Sequence, residues 1–178
     1  MEKKSSLKLA QAALLTAICV GSQFFKNLSV FVTGPIVNIC LILCVLYVGI
    51  GWAVILSVVS PVTSFIITGS PIMQAIPAII PAVMLGNIIF VVAIGIIYNN
   101  VKNKAGLPCA LVAGTVLKGL FMGAAIAMFL LPNFLPETMM PKLKTFQMTF
   151  SVVQLATAAI GSVAAYIINI PLSKTVKK

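Results

Sequence analysis

The sequence predicts an all-α polytopic membrane protein, a single transmembrane domain of six helices with both termini in the cytosol. Three observations carry this. Residues of the AVILMFWYC set make up 61% of the 178 and charged residues only 8%, against about 25% charge in an average soluble domain. The apolar residues fall into runs, and at about 20 residues per span the chain has room for six spans and no separate soluble domain. The lysines sit at the ends of these runs, as topology signals do.

The first span is expected at residues 7–25. It follows a basic start (Lys3, Lys4, Lys8) but no small-x-small cleavage site closes a short apolar region, so it reads as a retained helix rather than a signal peptide. A polar stretch from Lys26 to Ser29 ends it, and Thr33-Gly34-Pro35 restarts the chain. Spans at 35–48 and 52–68 are separated only by Gly49-Ile50-Gly51, a glycine pair suited to a tight turn. One continuous helix over these residues would rise about 51 Å, too long for a hydrocarbon core of about 30 Å. Ser60-Pro61 lies in the second arm of this hairpin, where the missing N–H of proline predicts a kink.

The fourth span is expected at 74–98, with Pro77 and Pro81 making its start irregular. Irregular backbone at membrane depth is tolerated only where protein or a water-filled cavity surrounds it. A polar loop with Lys102 and Lys104 follows, then a fifth span at 107–131 with Pro108 in its first turn. A longer loop carries three prolines, Glu137, Lys142 and Lys144, and the sixth span is expected at 147–170. Placing the N-terminus in the cytosol puts Lys3, Lys4, Lys8, Lys102, Lys104, Lys174, Lys177 and Lys178 inside and only Lys26, Lys142 and Lys144 outside, which sets the orientation.

The net charge of +10 comes from twelve lysines against Glu2 and Glu137. In a soluble protein it would suggest nucleic acid; at span ends it marks topology and headgroup contact, so no nucleic-acid partner is implied. The chain has no His, and Cys19, Cys40, Cys44 and Cys109 lie in or beside apolar runs without a paired CxxC, so no metal site and no cofactor are expected. Without His or an intramembrane carboxylate the serines and cysteines have no base, and an enzyme is not expected. No phosphate-binding Gly-x-x-x-x-Gly-Lys-Ser/Thr loop occurs, so ATP chemistry would belong to other subunits.

The most informative residue is Lys118, near the middle of the fifth span, where insertion scales charge about 2.5–3.5 kcal/mol for a lysine. Gly114, Gly119, Met122 and Gly123 around it allow close packing that would keep the amine inside the bundle. Snorkelling is the plain alternative, but an interface about 15 Å away exceeds the reach of one lysine. With no carboxylate in any span, its partner is Glu137 folded in from its loop, carbonyl groups, or an anionic ligand; a neutral amine is the remaining alternative.

Gln23, Asn38, Gln74, Asn87, Gln147 and Gln154 also need partners away from lipid, either on neighbouring helices or around a shared cavity. Trp52, Tyr98 and Tyr166 sit at or near cytosolic span ends as interfacial anchors. Ala13, Ala17 and Gly21, four residues apart, make a flat strip on the first helix.

The length, the six spans, the basic cytosolic ends, the Ala12-Ala13-Leu14-Leu15-Thr16-Ala17 start, Gly34-Pro35 with Asn38, and Leu85-Gly86-Asn87 together resemble the substrate-binding S component of an energy-coupling factor (ECF) transporter. The resemblance spans nearly the whole chain. It implies a prokaryotic, multi-pass subunit of the cell membrane that captures a vitamin-like micronutrient and hands it to a coupling membrane subunit with two ATPase subunits. It further implies that Ala13 and Ala17 dock on the coupling subunit, and that the outer ends of spans four to six and the loops after spans one, three and five enclose the ligand. Those regions contain Lys26, Gln74, Asn87, Lys118, Gln147 and Gln154. Two alternatives stand beside this reading: a stand-alone oligomeric secondary transporter or channel, which internal inverted repeats would favour, and a non-transporting membrane scaffold.

Overall fold

The computed structural model describes residues 2–25, 29–101, 103 and 105–176 and is helical throughout, with no strand among the described residues. Helix α1 spans Glu2–Gln23 and α2 Val30–Leu43, which continues as a π-helical turn, Cys44–Val48. Helix α3 covers Ile50–Thr68 and the short α4 Pro71–Ala75; α5 covers Ile79–Asn100. Helix α6, Gly106–Met122, continues through a π-helical stretch, Gly123–Leu130, into α7, Leu131–Phe134. A 3-10 turn, Glu137–Lys142, leads into α8, Leu143–Phe150, and α9 closes the chain at Val152–Val176.

Five stretches are long and apolar enough to cross a membrane: Val30–Val48, Ile50–Thr68, Ile79–Asn100, Gly106–Phe134 and Glu137–Lys174. This makes the chain an all-helical membrane protein. Helix α1 is 22 residues long but mixes Lys8, Gln11 and Gln23 into its apolar run, which lowers its hydropathy.

The backbone differs from the sequence expectations where local chemistry is ambiguous. Helix α2 begins at Val30, five residues before the expected Pro35, and proline sits inside it. The turn between α2 and α3 is one residue, Gly49, whose φ of 125° is open to glycine and strained for other residues. Helix α3 continues through Pro61 to an αL cap at Gly69. The expected fourth span is split: α4 stops at Ala75, the chain breaks around Pro77, and α5 starts at Ile79. The sixth is split too, at Ser151, between α8 and α9.

Packing follows helix neighbours: α5 lies along α6 and α3, α2 along α9, and α1 against α2 and α3. Lipid supplies no hydrophobic drive between helices, so close approach of small residues and interhelical hydrogen bonds hold such a bundle. At the α2–α9 crossing, a Cβ on Gly34 would stand 2.8 Å from Thr157 Cγ2, and one on Gly161 would stand 2.7 Å from Asn38 Cβ. Only glycine permits backbones that near. Side-chain hydrogen bonds add cross-links: Thr115 and Ser162 hydroxyls meet at 3.0 Å between α6 and α9, and Tyr47 donates to Asn169 Oδ1 at 2.7 Å.

Buried apolar residues form two clusters. One gathers Cys19, Leu41, Phe90, Ile94, Leu111 and Ala165. The other gathers Ile72, Ile79, Met122, Ile126, Leu131 and Phe150. The outward faces, with Leu14, Ile66, Val112, Leu120, Met128 and Ile167, are apolar and exposed, as a lipid-facing surface requires.

Candidate functional site

A cavity of about 340 Å³ opens at one end of the bundle, where the C-terminal parts of α1 and α3 meet the N-terminal parts of α2, α5 and α9. Since neighbouring helices alternate in direction, this is the end opposite the start of α1 and the end of α9. Its wall carries many polar side chains. Helix α2 supplies Thr33 and Asn38, α3 supplies Ser60, Ser64 and Thr68, α5 supplies Asn87, α6 supplies Lys118, α8 supplies Thr145 and Thr149, and α9 supplies Gln154 and Thr157. Val37, Pro61, Ile72, Met73, Val83 and Phe150 provide the apolar surface between them.

Lys118 is only 2% exposed. Its Nζ donates to Asn38 Oδ1 at 2.7 Å and stands 5.1 Å from the centre of the Phe90 ring. An ammonium over an aromatic face is attracted by the ring quadrupole. No carboxylate pairs with this amine among the described residues, and Glu137 is exposed on the 3-10 turn. Among the protein groups, the partner of Lys118 is an amide carbonyl 80 residues away.

Asn38 is itself fixed. It is 2% exposed, its Nδ2 donates to Gly34 O at 3.0 Å, and its Cβ rests against Gly161. Asn87, 3% exposed, lines the same cavity, and its side-chain amide makes no hydrogen bond among the described residues. Such an amide must find its partners in whatever fills the space. Gln154, half-buried, likewise faces the cavity without a side-chain bond there.

The structure brings Lys118, Asn87 and Gln154 to one cavity and leaves two other candidates off its wall. Gln74 lies in the five-residue α4 and turns back, its Nε2 donating to Gly69 O at 3.0 Å. Gln147 lies in α8, before the break at Ser151, and donates to Ala127 O at 3.0 Å. Ala127 belongs to the π-helical stretch, where i→i+5 bonding shifts the carbonyl pattern and leaves acceptors open. Lys26 lies outside the described residues. Ala13 and Ala17 are exposed on α1, on one strip with Gly21.

The hydroxyls of the wall went unnoticed in the sequence. Ser60, Ser64 and Thr68 recur every four residues and therefore share one face of α3. That spacing is the signal that could have found them. It is easily passed over because hydroxyls bond to their own helix, as Thr68 Oγ1 does to Ser64 O at 2.7 Å.

Comparison with families of known proteins matches the chain to the ECF transporter, substrate-specific component, over residues 7–173. Neither the curated proteins nor the solved structures gave a match. A polar cavity at one end of an apolar helical bundle, in a chain matched over nearly all its length, fits that description; the chain belongs to the family of ECF transporter substrate-specific components, membrane subunits that bind substrate for the importer and are not enzymes.

Proposed function

We propose that the cavity holds the transported substrate, a vitamin-like micronutrient bearing one acidic group, and that it opens to the outside of a prokaryotic cell membrane. The observation that supports this is the Lys118 ammonium, buried on the cavity wall with neutral partners. A lysine at that depth costs about 2.5–3.5 kcal/mol, and a substrate carboxylate or phosphate meeting it in a dry site offsets that cost. The cavity volume of about 340 Å³ falls in the range of small-molecule sites. Asn87 and Gln154 offer amides, and Ser60, Ser64 and Thr157 hydroxyls, to the polar groups of such a molecule.

In this reading α1 is the sixth span. The end of the bundle that carries Lys8 and Lys174 lies in the cytosol, supported by the eight-to-three lysine bias. Proteins of this family work with a coupling membrane subunit and ATPases; here the exposed Ala13 and Ala17 would give that subunit a flat strip on α1. The family match supports this over a stand-alone transporter, a channel or a scaffold.

Native mass spectrometry of the detergent-purified protein tests the proposal. The wild type should release a bound small acid, and Lys118→Met should carry at least about tenfold less of it at unchanged elution volume, as expected when one partner of a buried charged contact is removed. Equal occupancy in the two proteins would remove Lys118 from the site.

A further inference from the structure

The groups that hold the Lys118 ammonium carry no formal charge. Asn38 accepts from it at 2.7 Å and the Phe90 ring lies 5.1 Å below it. The Asn38 amide is oriented to suit an ammonium, which only donates: its oxygen faces Nζ, and its nitrogen donates to Gly34 O at 3.0 Å. Gly161 seats the Asn38 Cβ, so the amide cannot drift away along the helix crossing. No charged group of α2, α5 or α9 lines the cavity beside Lys118 among the described residues, while neutral polar side chains of all three, Asn38, Asn87, Gln154 and Thr157, line it.

Position and charge are thus handled separately. An aspartate at the place of Asn38 would be nearly the same size, would hold the lysine at least as firmly, and would cancel its charge. From this juxtaposition we infer that Asn38 is a positioning residue that sets specificity: its neutral carbonyl fixes the ammonium while leaving the positive charge for the substrate. The inference rests on the reading of the cavity as an anion-binding substrate site and adds the residue that makes it select acids over neutral or cationic molecules. Phe90 serves the same end, since a ring face attracts a cation without neutralising it.

The test needs no knowledge of the substrate. Val83 lines the cavity one turn outward from Asn87 and is half-buried, so a Val83→Cys thiol reports on what enters. In a Cys109→Ser background, the remaining native thiols Cys19, Cys40 and Cys44 are buried. The probes are two reagents of similar size, sulfonatoethyl and trimethylammonioethyl methanethiosulfonate, one an anion and one a cation. Each rate is normalised to that on free cysteine.

The parent should favour the anion by about tenfold or more, as a cleft lined by one sign of charge does. Asn38→Asp should abolish or reverse that preference, while Asn38→Ser, a smaller neutral acceptor, should keep it. A merely structural role for Asn38 would change both rates together and leave their ratio alone. An unchanged preference in Asn38→Asp overturns the inference, and so does its loss in Asn38→Ser, which decides the matter if the aspartate variant fails to fold. Equal rates in the parent, or a preference that survives Lys118→Met, would instead remove the underlying reading of the cavity.

Discussion

Gly161→Ala probes the contact on which the candidate site is built. The added Cβ would stand 2.7 Å from Asn38 Cβ and 3.0 Å from Pro35 O. Carbon atoms rest at about 3.5–4.0 Å, so α2 and α9 must separate by close to 1 Å at this point. Neither neighbour can yield by a rotamer change, because one is backbone and the other is the first side-chain atom. Overpacking of this kind costs about 1–3 kcal/mol, and alanine recovers about 0.5–1 kcal/mol over glycine within a helix. The net expectation is a loss centred near about 1 kcal/mol and reaching about 2.5 kcal/mol, or a few degrees in melting temperature for a chain of this size at about 2–4 °C per kcal/mol.

The same displacement carries Asn38, whose bond to Lys118 is 2.7 Å and has little room to lengthen before it is lost. Melting in detergent and retention of the bound small molecule should therefore fall together. Gly51→Ala is the control, since nothing stands within 4 Å of its Cβ and φ is ordinary there; it should melt at or slightly above the parent. A Gly161→Ala protein that matches the parent in both measurements would refute the idea that this crossing seats Asn38.

Ala17→Trp, on the exposed strip of α1, should leave melting temperature and retained ligand unchanged while abolishing uptake in cells that carry the coupling subunits; loss of ligand as well would mean that the strip packs internally. The Thr115–Ser162 pair should show coupling of about 0.6 kcal/mol, and at most about 1.7, in a double-mutant cycle with Thr115→Val and Ser162→Ala. Additive melting shifts there would mean that the two hydroxyls do not share a bond. Gln147→Leu should lower stability modestly by exposing the Ala127 carbonyl, and should alter bound-ligand occupancy far less than Lys118→Met, because Gln147 stands off the cavity wall; a tenfold drop in occupancy would place it on the ligand.

Much of the candidate site could be read from the chain because polar groups are conspicuous in an apolar background. Lys118, Asn87 and Gln154 stand out for that reason, and all three reach the cavity. The same rule misleads at helix ends, where a polar side chain can satisfy nearby backbone instead of a ligand. Gln74 and Gln147 sit beside breaks that Pro77 and Ser151 mark, and both turn to carbonyls, at Gly69 and Ala127. The hydroxyl face of α3 has the opposite difficulty, being hidden among residues that bond to their own helix.

By itself the sequence determined the solvent, the helical class and the presence of a lysine in the middle of an apolar run, because these follow from composition and run length, which need no partner. What stands opposite that lysine was decided by the tertiary structure alone. Which face of α2 meets α6 depends on how nearly α2 and α9 approach, and that is set by Gly34 and Gly161, whose missing side chains act only when another helix arrives. Periodicity along one strand of chain carries no information about a neighbour 80 residues away, so a neutral amide rather than an acid beside Lys118 is a fact of packing.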